Sequence, residues 1–324
     1  MTTGFRESAV GASCRNGVIF LTWEPLLRVR DDVGASVSCV KAQEYNVGWY
    51  RVNDAPTGTA GRGFSYVRGG INYMLNPGKK LRERLARPDI LVLPGVYDAL
   101  SAKVAVQAGF DGLVMGGYAV AASRLAEPDV GYLSMTEMAE ALRVITRAVD
   151  VPVLADGDTG YGNALSVQRT LREYEHAGAA GVLFEDQVWP KRCGHMAGKQ
   201  VIEAEEHARK LRAAADAKTN PDTLLIARTD SRAVYGLDAA IERGKLYLDS
   251  GADALFIEAP QNEWELEEIA KAFPNNILIA NMIEGGRTPN LTSKDLENLG
   301  FDIVFWPCTL VYTVTKALGD VLRA

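Results

Sequence analysis

The sequence lacks the marks of several special classes. No apolar run approaches the ~20 residues of a membrane helix. Gly17 to Trp23 is much too short, so no membrane partner is expected. Cysteine is scarce: Cys14, Cys39, Cys193 and Cys308 are too few for a disulfide scaffold in 324 residues, which points to a reducing compartment. They also lack zinc-ligand spacing. Basic charge is not in excess: 35 Lys and Arg face 41 Asp and Glu, a net charge of −6. A face for nucleic acid needs clustered Lys and Arg, so nucleic acid is excluded as a main partner. No strand–GxGxxG–helix fingerprint is present; Gly58 to Gly63 has the wrong spacing and no strand before it. What is there is ordinary globular composition, 47% apolar and 23% charged.

The charge is unevenly spread. Residues 1–70 carry a net +2 and 10 of the 31 glycines, with no sustained helical or strand period. Residues 1–73 are expected to be a poorly structured N-terminal extension or a doubtful gene-model addition, and 74–324 the catalytic domain. Arg6, Arg15, Arg28 and Arg30 suit a mitochondrial transit peptide, but Glu7, Glu24, Asp31 and Asp32 count against it. A cytoplasmic location is the expectation.

From Ile90 onward the chain becomes regular. Eight short apolar runs begin at Ile90, Gly112, Val151, Gly181, Leu224, Ala254, Ile277 and Ile303. Each is nearly continuous, as in parallel strands covered on both faces. Amphipathic stretches lie between them, among them 163–176, 237–248, 264–273, 294–299 and 310–322. Gly109, Gly178, Gly251 and Gly300 recur where a helix should stop in a left-handed turn. Eight strand–helix units in about 235 residues predict an α/β fold, a (β/α)8 TIM barrel. An open doubly wound sheet is the alternative, though it usually needs fewer units.

In a barrel the chemistry sits at the C-terminal ends of strands. Run three ends in Asp156-Gly-Asp158, run four in Glu185-Asp186, run five in Arg228-Thr-Asp230, run six in Glu258 and run seven in Asn281. Asp156 and Asp158 offer hard oxygen ligands suited to Mg²⁺. The plainer reading is a turn cap and a solvated carboxylate, or a structural ion-pair ring at the mouth. After run four comes Lys191-Arg-Cys193-Gly194-His195, with Gly194 and Gly198 as candidate lid hinges. Positive flanks should lower the Cys193 thiol pKa and make it an acid–base group. His176 and His207 lie among charged residues and are expected at the surface.

Together these motifs resemble the isocitrate lyase and phosphoenolpyruvate mutase superfamily. The resemblance runs through Leu93–Leu100, Asp156–Gly160, Glu185–Gln187, Lys191–His195, Ala227–Asp230 and Asn281–Gly286. The short lyases are the most similar subgroup: dimethylmalate lyase, petal death protein, methylisocitrate lyase and carboxyphosphonoenolpyruvate mutase. The resemblance implies that Asp156 ligates Mg²⁺ (or Mn²⁺), with Asp129, Asp158 and Glu185 holding it through waters. Gly116, Gly117 and Tyr118 stand where the family has a serine–glycine turn for the substrate carboxylate. Lys191, Gly194 and Asn281 would also bind substrate, and His195 and Glu258 would line the catalytic centre. Arg228 would stabilise a carboxylate or enolate, and Cys193, on a gating loop, would protonate the leaving enolate. Tyr118 and Glu258 are the candidates for the hydroxyl base. The implied reaction is retro-aldol cleavage of a 2-hydroxy dicarboxylate or alkylmalate, releasing pyruvate, glyoxylate or a similar oxo acid. A phosphonomutase, an oxaloacetate hydrolase and a non-catalytic barrel are the alternatives. The implied assembly is a homotetramer, a dimer of dimers with exchanged last helices.

Overall fold

In the computed structural model, residues 76–323 are described, together with two short strands near the N-terminus. These are β1 (Ser13–Arg15) and β2 (Val18–Phe20), paired antiparallel with Arg15 opposite Val18. Asn16-Gly17 separates them in the sequence, a dipeptide that favours such hairpins. The rest of the proposed extension, 1–73, lies outside the described residues. Residues 1–66 and 67–324 form separate units.

In chain order the second unit runs α1 (Pro77–Leu85), β3 (Leu91–Val96), α2 (Ala99–Gln107), β4 (Leu113–Met115), α3 (Gly117–Leu125), α4 (Met135–Ala148), β5 (Val153–Asp156), α5 (Ala164–His176), β6 (Gly181–Glu185), α6 (Ala204–Ala217), β7 (Leu224–Thr229), α7 (Arg232–Tyr235), α8 (Leu237–Asp249), β8 (Ala254–Ile257), α9 (Glu263–Ala272), β9 (Ile277–Asn281), α10 (Ser293–Leu299), β10 (Ile303–Trp306) and α11 (Thr309–Arg323). Among the described residues, β3 to β10 are all parallel and close in sequence order, with β10 pairing β3. This is the expected (β/α)8 barrel, not the open sheet. The four helix-stop glycines have φ of 99°, 96°, 99° and 101°, the left-handed conformation that their positions demanded.

Strand period builds two cores. Inward residues such as Leu91, Leu93, Leu154, Leu183, Ile226, Phe256, Ile279 and Phe305 fill the barrel. Outward ones such as Ala155, Phe184, Leu225 and Leu255 meet the helices. Leu81 of α1 joins the interior cluster, and Arg82 donates to the Asp222 carbonyl (2.9 Å) and to Asp253 (3.0 Å). Helix α1 therefore seals the N-terminal end and leaves the other end for chemistry. The last helix, α11, is unusual. Only Val311 is buried, while Tyr312, Val314, Leu318, Val321 and Leu322 are exposed. No helix among the described residues is long and apolar enough to cross a membrane.

His176 is exposed, as expected, but His207 is fully buried. The charged neighbours Glu205, Glu206 and Arg209 mislead, because 207, 208, 211 and 214 form the buried stripe of α6. The ring lies edge-on to Tyr247 at 4.7 Å. Burial, reinforced by Lys210 and Arg243, pushes the imidazole pKa down to about 3. Below about pH 6.5 the unfolded chain binds a proton there that the folded chain refuses, so stability falls as pH falls toward 3. Between pH 7 and pH 5 this one group should cost about 2 kcal/mol. Urea denaturation at both pH values should show a smaller acid loss in His207→Phe by that amount.

Candidate active site

One period-2 step beyond the apolar interior row, five consecutive strands present polar groups to the same mouth. Leu154 is followed by Asp156, Leu183 by Glu185, Ile226 by Arg228, Phe256 by Glu258 and Ile279 by Asn281. The corresponding positions on the other three strands are Gly95, Gly116 and Pro307, so the polar groups occupy one side of the rim. Because the strands pair in register, with Glu185 beside Arg228, these groups must meet.

Their charges interlock. Asp156 accepts from the backbone N–H of Gly117 and of Asp158, both at 3.0 Å. Lys191 places its ammonium 2.6 Å from Asp129 and 2.7 Å from Asp158. Asp158 is buried, not solvated; burial lifts its pKa, and Lys191 opposes the shift. Arg228 makes two bonds to Asp230 (2.9 and 3.1 Å) and lies 3.1 Å from Glu185 and 3.5 Å from Glu258. Its guanidinium rests over the Phe256 ring. Glu258 lies 2.8 Å from His195 Nε2 and accepts from Asn281 at 3.3 Å. The structural ion-pair ring considered from sequence is therefore real, and it surrounds the predicted metal ligands.

The arrangement suits a hard cation. The buried oxygens of Glu185 have no aligned hydrogen-bond donor, although Arg228 is close, and burial lifts its pKa well above the carboxylate range against the pull of Arg228. Asp129, Asp156, Asp158 and Glu185 are all-oxygen donors, and Mg²⁺ needs only one or two of them directly. Among the described residues no three such side chains are already gathered as ligands. The Lys191 ammonium sits between two of them.

Three chemical expectations need correction. The Cys193 thiol pKa is raised, not lowered: burial dominates, with Asp129 and Glu258 adding to it against His195 and Lys191. The flanking charges are too weak to win: Lys191 is committed to two carboxylates and Arg192 is exposed. Glu258 is a poor base. Burial opposes its charge, but Arg228 and His195 overcome this and hold the carboxyl below its ordinary range. Tyr118 is no better: burial raises its phenol, which packs edge-on against Tyr312.

The loop after β6 lies over this mouth. A Cβ on Gly194 would fall 2.5 Å from Arg228 and 2.7 Å from Glu258, so this glycine permits close approach; it is Gly198 that has φ of 78°. The carboxylates border a void of only about 10 Å³, lined in part by Gly117, Asp129 and Asp158. A larger groove of about 500 Å³ lies outside it, between Tyr132, Tyr161, Trp189 and Lys210.

With this site in place, the family is decided by one match: the phosphoenolpyruvate phosphomutase family profile fits residues 81–324. The chain belongs to that family. It is 48% identical over 250 residues to 2,3-dimethylmalate lyase of Eubacterium barkeri, covering 77% of this chain and 86% of the relative. It is also 48% identical over 258 residues to the chloroplastic carboxyvinyl-carboxyphosphonate phosphorylmutase of Arabidopsis thaliana, covering 77% and 76%. Among solved structures, oxaloacetate acetylhydrolase with 3,3-difluorooxalacetate superposes with a TM-score of 0.75 at 34% identity, covering 76% and 85%.

Sequence reasoning assigned no role to Asp186, Lys199, Asp230 or Arg287, although Asp186 and Asp230 end strand runs. In this phosphomutase-family barrel Asp186 is the anchor of the rim. Fully buried, it accepts from Thr229 Oγ1 (2.7 Å), Asp230 N–H (2.9 Å), Arg243 (3.0 Å) and Tyr247 (2.9 Å). Removing it strands a mostly buried guanidinium. Asp186→Ala should lower unfolding stability by about 3 kcal/mol, read from the urea midpoint at constant m-value.

Proposed function

We propose that this chain is a Mg²⁺-dependent carbon–carbon lyase that cleaves a 2-hydroxy dicarboxylate or alkylmalate to a 2-oxo acid and a carboxylic acid. The observation that carries this reading is a half-buried Cys193 thiol, held protonated by burial, on a loop packed over Arg228 and a nest of carboxylates. A general acid must carry its proton until the bond breaks, so a raised pKa suits that role better than the lowered one expected from sequence. The activity resides in residues 74–324.

Asp156 would hold the metal directly, and Asp129, Asp158 and Glu185 through waters. Bound there, Mg²⁺ supplies Lewis-acid polarisation of the oxygen that becomes the 2-oxo group. The first turn of α3 follows Gly116 and presents N–H groups at a helix N-terminus; Gly117 spends its own on Asp156, and the positive end of the helix still favours a substrate carboxylate without a serine hydroxyl. Arg228 remains charged among its acidic neighbours and favours the negative charge that develops as the C–C bond breaks. As the 2-hydroxyl becomes the oxo group its proton passes to solvent water at the mouth, the electron pair of the C–C bond passes to the departing fragment, and that fragment's carbon takes the proton from Cys193, whose thiolate is reprotonated from solvent. Asn281 and His195 hold Glu258 in place beside Arg228.

The test is a panel of 2-hydroxy dicarboxylates and alkylmalates with Mg²⁺, read by release of 2-oxo acid. At least one member should turn over, chelation should abolish the activity, and Cys193→Ser should lower kcat by about 100-fold or more. Near-full turnover by Cys193→Ser would remove the thiol from the mechanism. Oxaloacetate and a phosphonate, followed by phosphorus NMR, belong in the panel because relatives carry out those reactions. Tight Mg²⁺ binding with no turnover would favour a non-catalytic barrel.

The exposed apolar face of α11 supports a homo-oligomer that exchanges its last helix, a dimer of dimers. Sedimentation should give the mass of two or four chains, and Leu318→Asp with Leu322→Asp should lower it.

A further inference from the structure

The loop over the mouth leaves and re-enters the barrel through a short antiparallel neck. Val188 N–H donates to the Gln200 carbonyl at 2.8 Å, and Ile202 N–H to the Asp186 carbonyl at 2.9 Å. The tip between them carries Cys193. Two fastenings hold the tip down. One reaches the segment after β9: Arg287 N–H donates to His195 Nδ1 at 2.8 Å. The other is Lys199, whose side chain is 2% exposed. Its ammonium donates at once to the Gly194 carbonyl in the tip and, at 2.6 Å, to Oδ1 of Asp230 at the end of β7. Asp230 is the same carboxylate that holds the Arg228 guanidinium by two bonds.

A buried ammonium is costly unless its donors are met by acceptors. Gly194 and Lys199 both belong to the loop and Asp230 to the barrel, so the ammonium has both acceptors only while the tip lies on Arg228 and Glu258. Lifting the tip would break a charge-assisted bond and leave that donor unmet. We infer that Lys199 is the latch of the Cys193 loop, a positioning residue that ties the closed tip through Asp230 to the guanidinium of Arg228. It contacts no group at which a bond is made or broken in the proposed reaction. The inference concerns the loop and stands independently of which reaction the barrel catalyses.

The latch can be replaced without collapsing the site, because Asp230 keeps both Arg228 bonds and the backbone bond to Asp186 when the ammonium is gone. In full-length Lys199→Met, iodoacetamide labelling followed by peptide mass spectrometry reads Cys193 separately from every other thiol. Buried Cys308 serves as the internal reference. Cys193 should label about ten- to a hundredfold faster, the factor expected when a charge-assisted hydrogen bond drops out of an opening equilibrium, with Cys308 unchanged. Loss of a positive charge alone would raise the thiol pKa and slow labelling, so acceleration reports access. Lys199→Gln, which keeps a donor for the Gly194 carbonyl, should accelerate Cys193 less, and it carries the test if the methionine variant does not fold. An unchanged Cys193 rate, or equal acceleration of Cys193 and Cys308, overturns the latch.

Discussion

Ionised side chains in a hydrocarbon barrel persist only if they are paired, and that requirement organises the whole mouth of this molecule. Asp158, Lys191, Arg228, Asp230 and Glu258 are all buried where the interior row of leucines, isoleucines and phenylalanine ends, beside Glu185, whose proton burial favours even next to Arg228. None could be buried alone without a large desolvation cost. Each is met by an opposite charge from another strand or from the loop, so strand register, loop conformation and side-chain charge are mutually dependent. A shift of one residue in β7 would turn Arg228 toward the helices and leave Glu185, Asp230 and Glu258 without their shared cation.

The same requirement explains what could be read from the sequence. Strands, helices and the four stopping glycines are local features, and each strand lies within two residues of its apolar run. The polar ends of five consecutive strands were legible because strand period alone carries them into the mouth. Pairing was not legible. Lys199 meets Asp230 across 31 residues, and Asp186 meets Tyr247 across 61. No periodicity connects such positions. Cys193 was misjudged for the same reason: its charged neighbours in sequence are spent or turned away in space. His207 was misjudged because its flanks are charged while its own helix face is buried.

The ion-pair ring and the proposed metal site are not competing descriptions of these residues. Four carboxylates near one another, with Lys191 and Arg228 as cations, leave the oxygens of Glu185 without aligned donors. Neither cation answers all the acceptors. A divalent ion of small radius could reach oxygens that a tethered ammonium cannot, because the Lys191 chain fixes where its charge can go. The ring therefore accounts for how the acidic mouth tolerates burial, and the unmet oxygens of Glu185 are what the proposed metal would satisfy.

The lid obeys the same electrostatics. Its tip could have been held by apolar packing alone, yet Lys191, His195 and Lys199 each bring a polar or charged group to a carboxylate of the mouth. The seated loop is consequently part of what neutralises the rim. A bound substrate with carboxylates of its own adds negative charge to that balance, and it can be accommodated only if cations are redistributed among the acidic groups. Arg228 stands at the centre of that redistribution, bonded to Asp230, which the loop also holds through Lys199. Arg228, which the proposed reaction assigns to an anion, is thus linked through Asp230 to the side chain proposed to fasten the loop, which would give occupancy of the site a physical route to the position of Cys193.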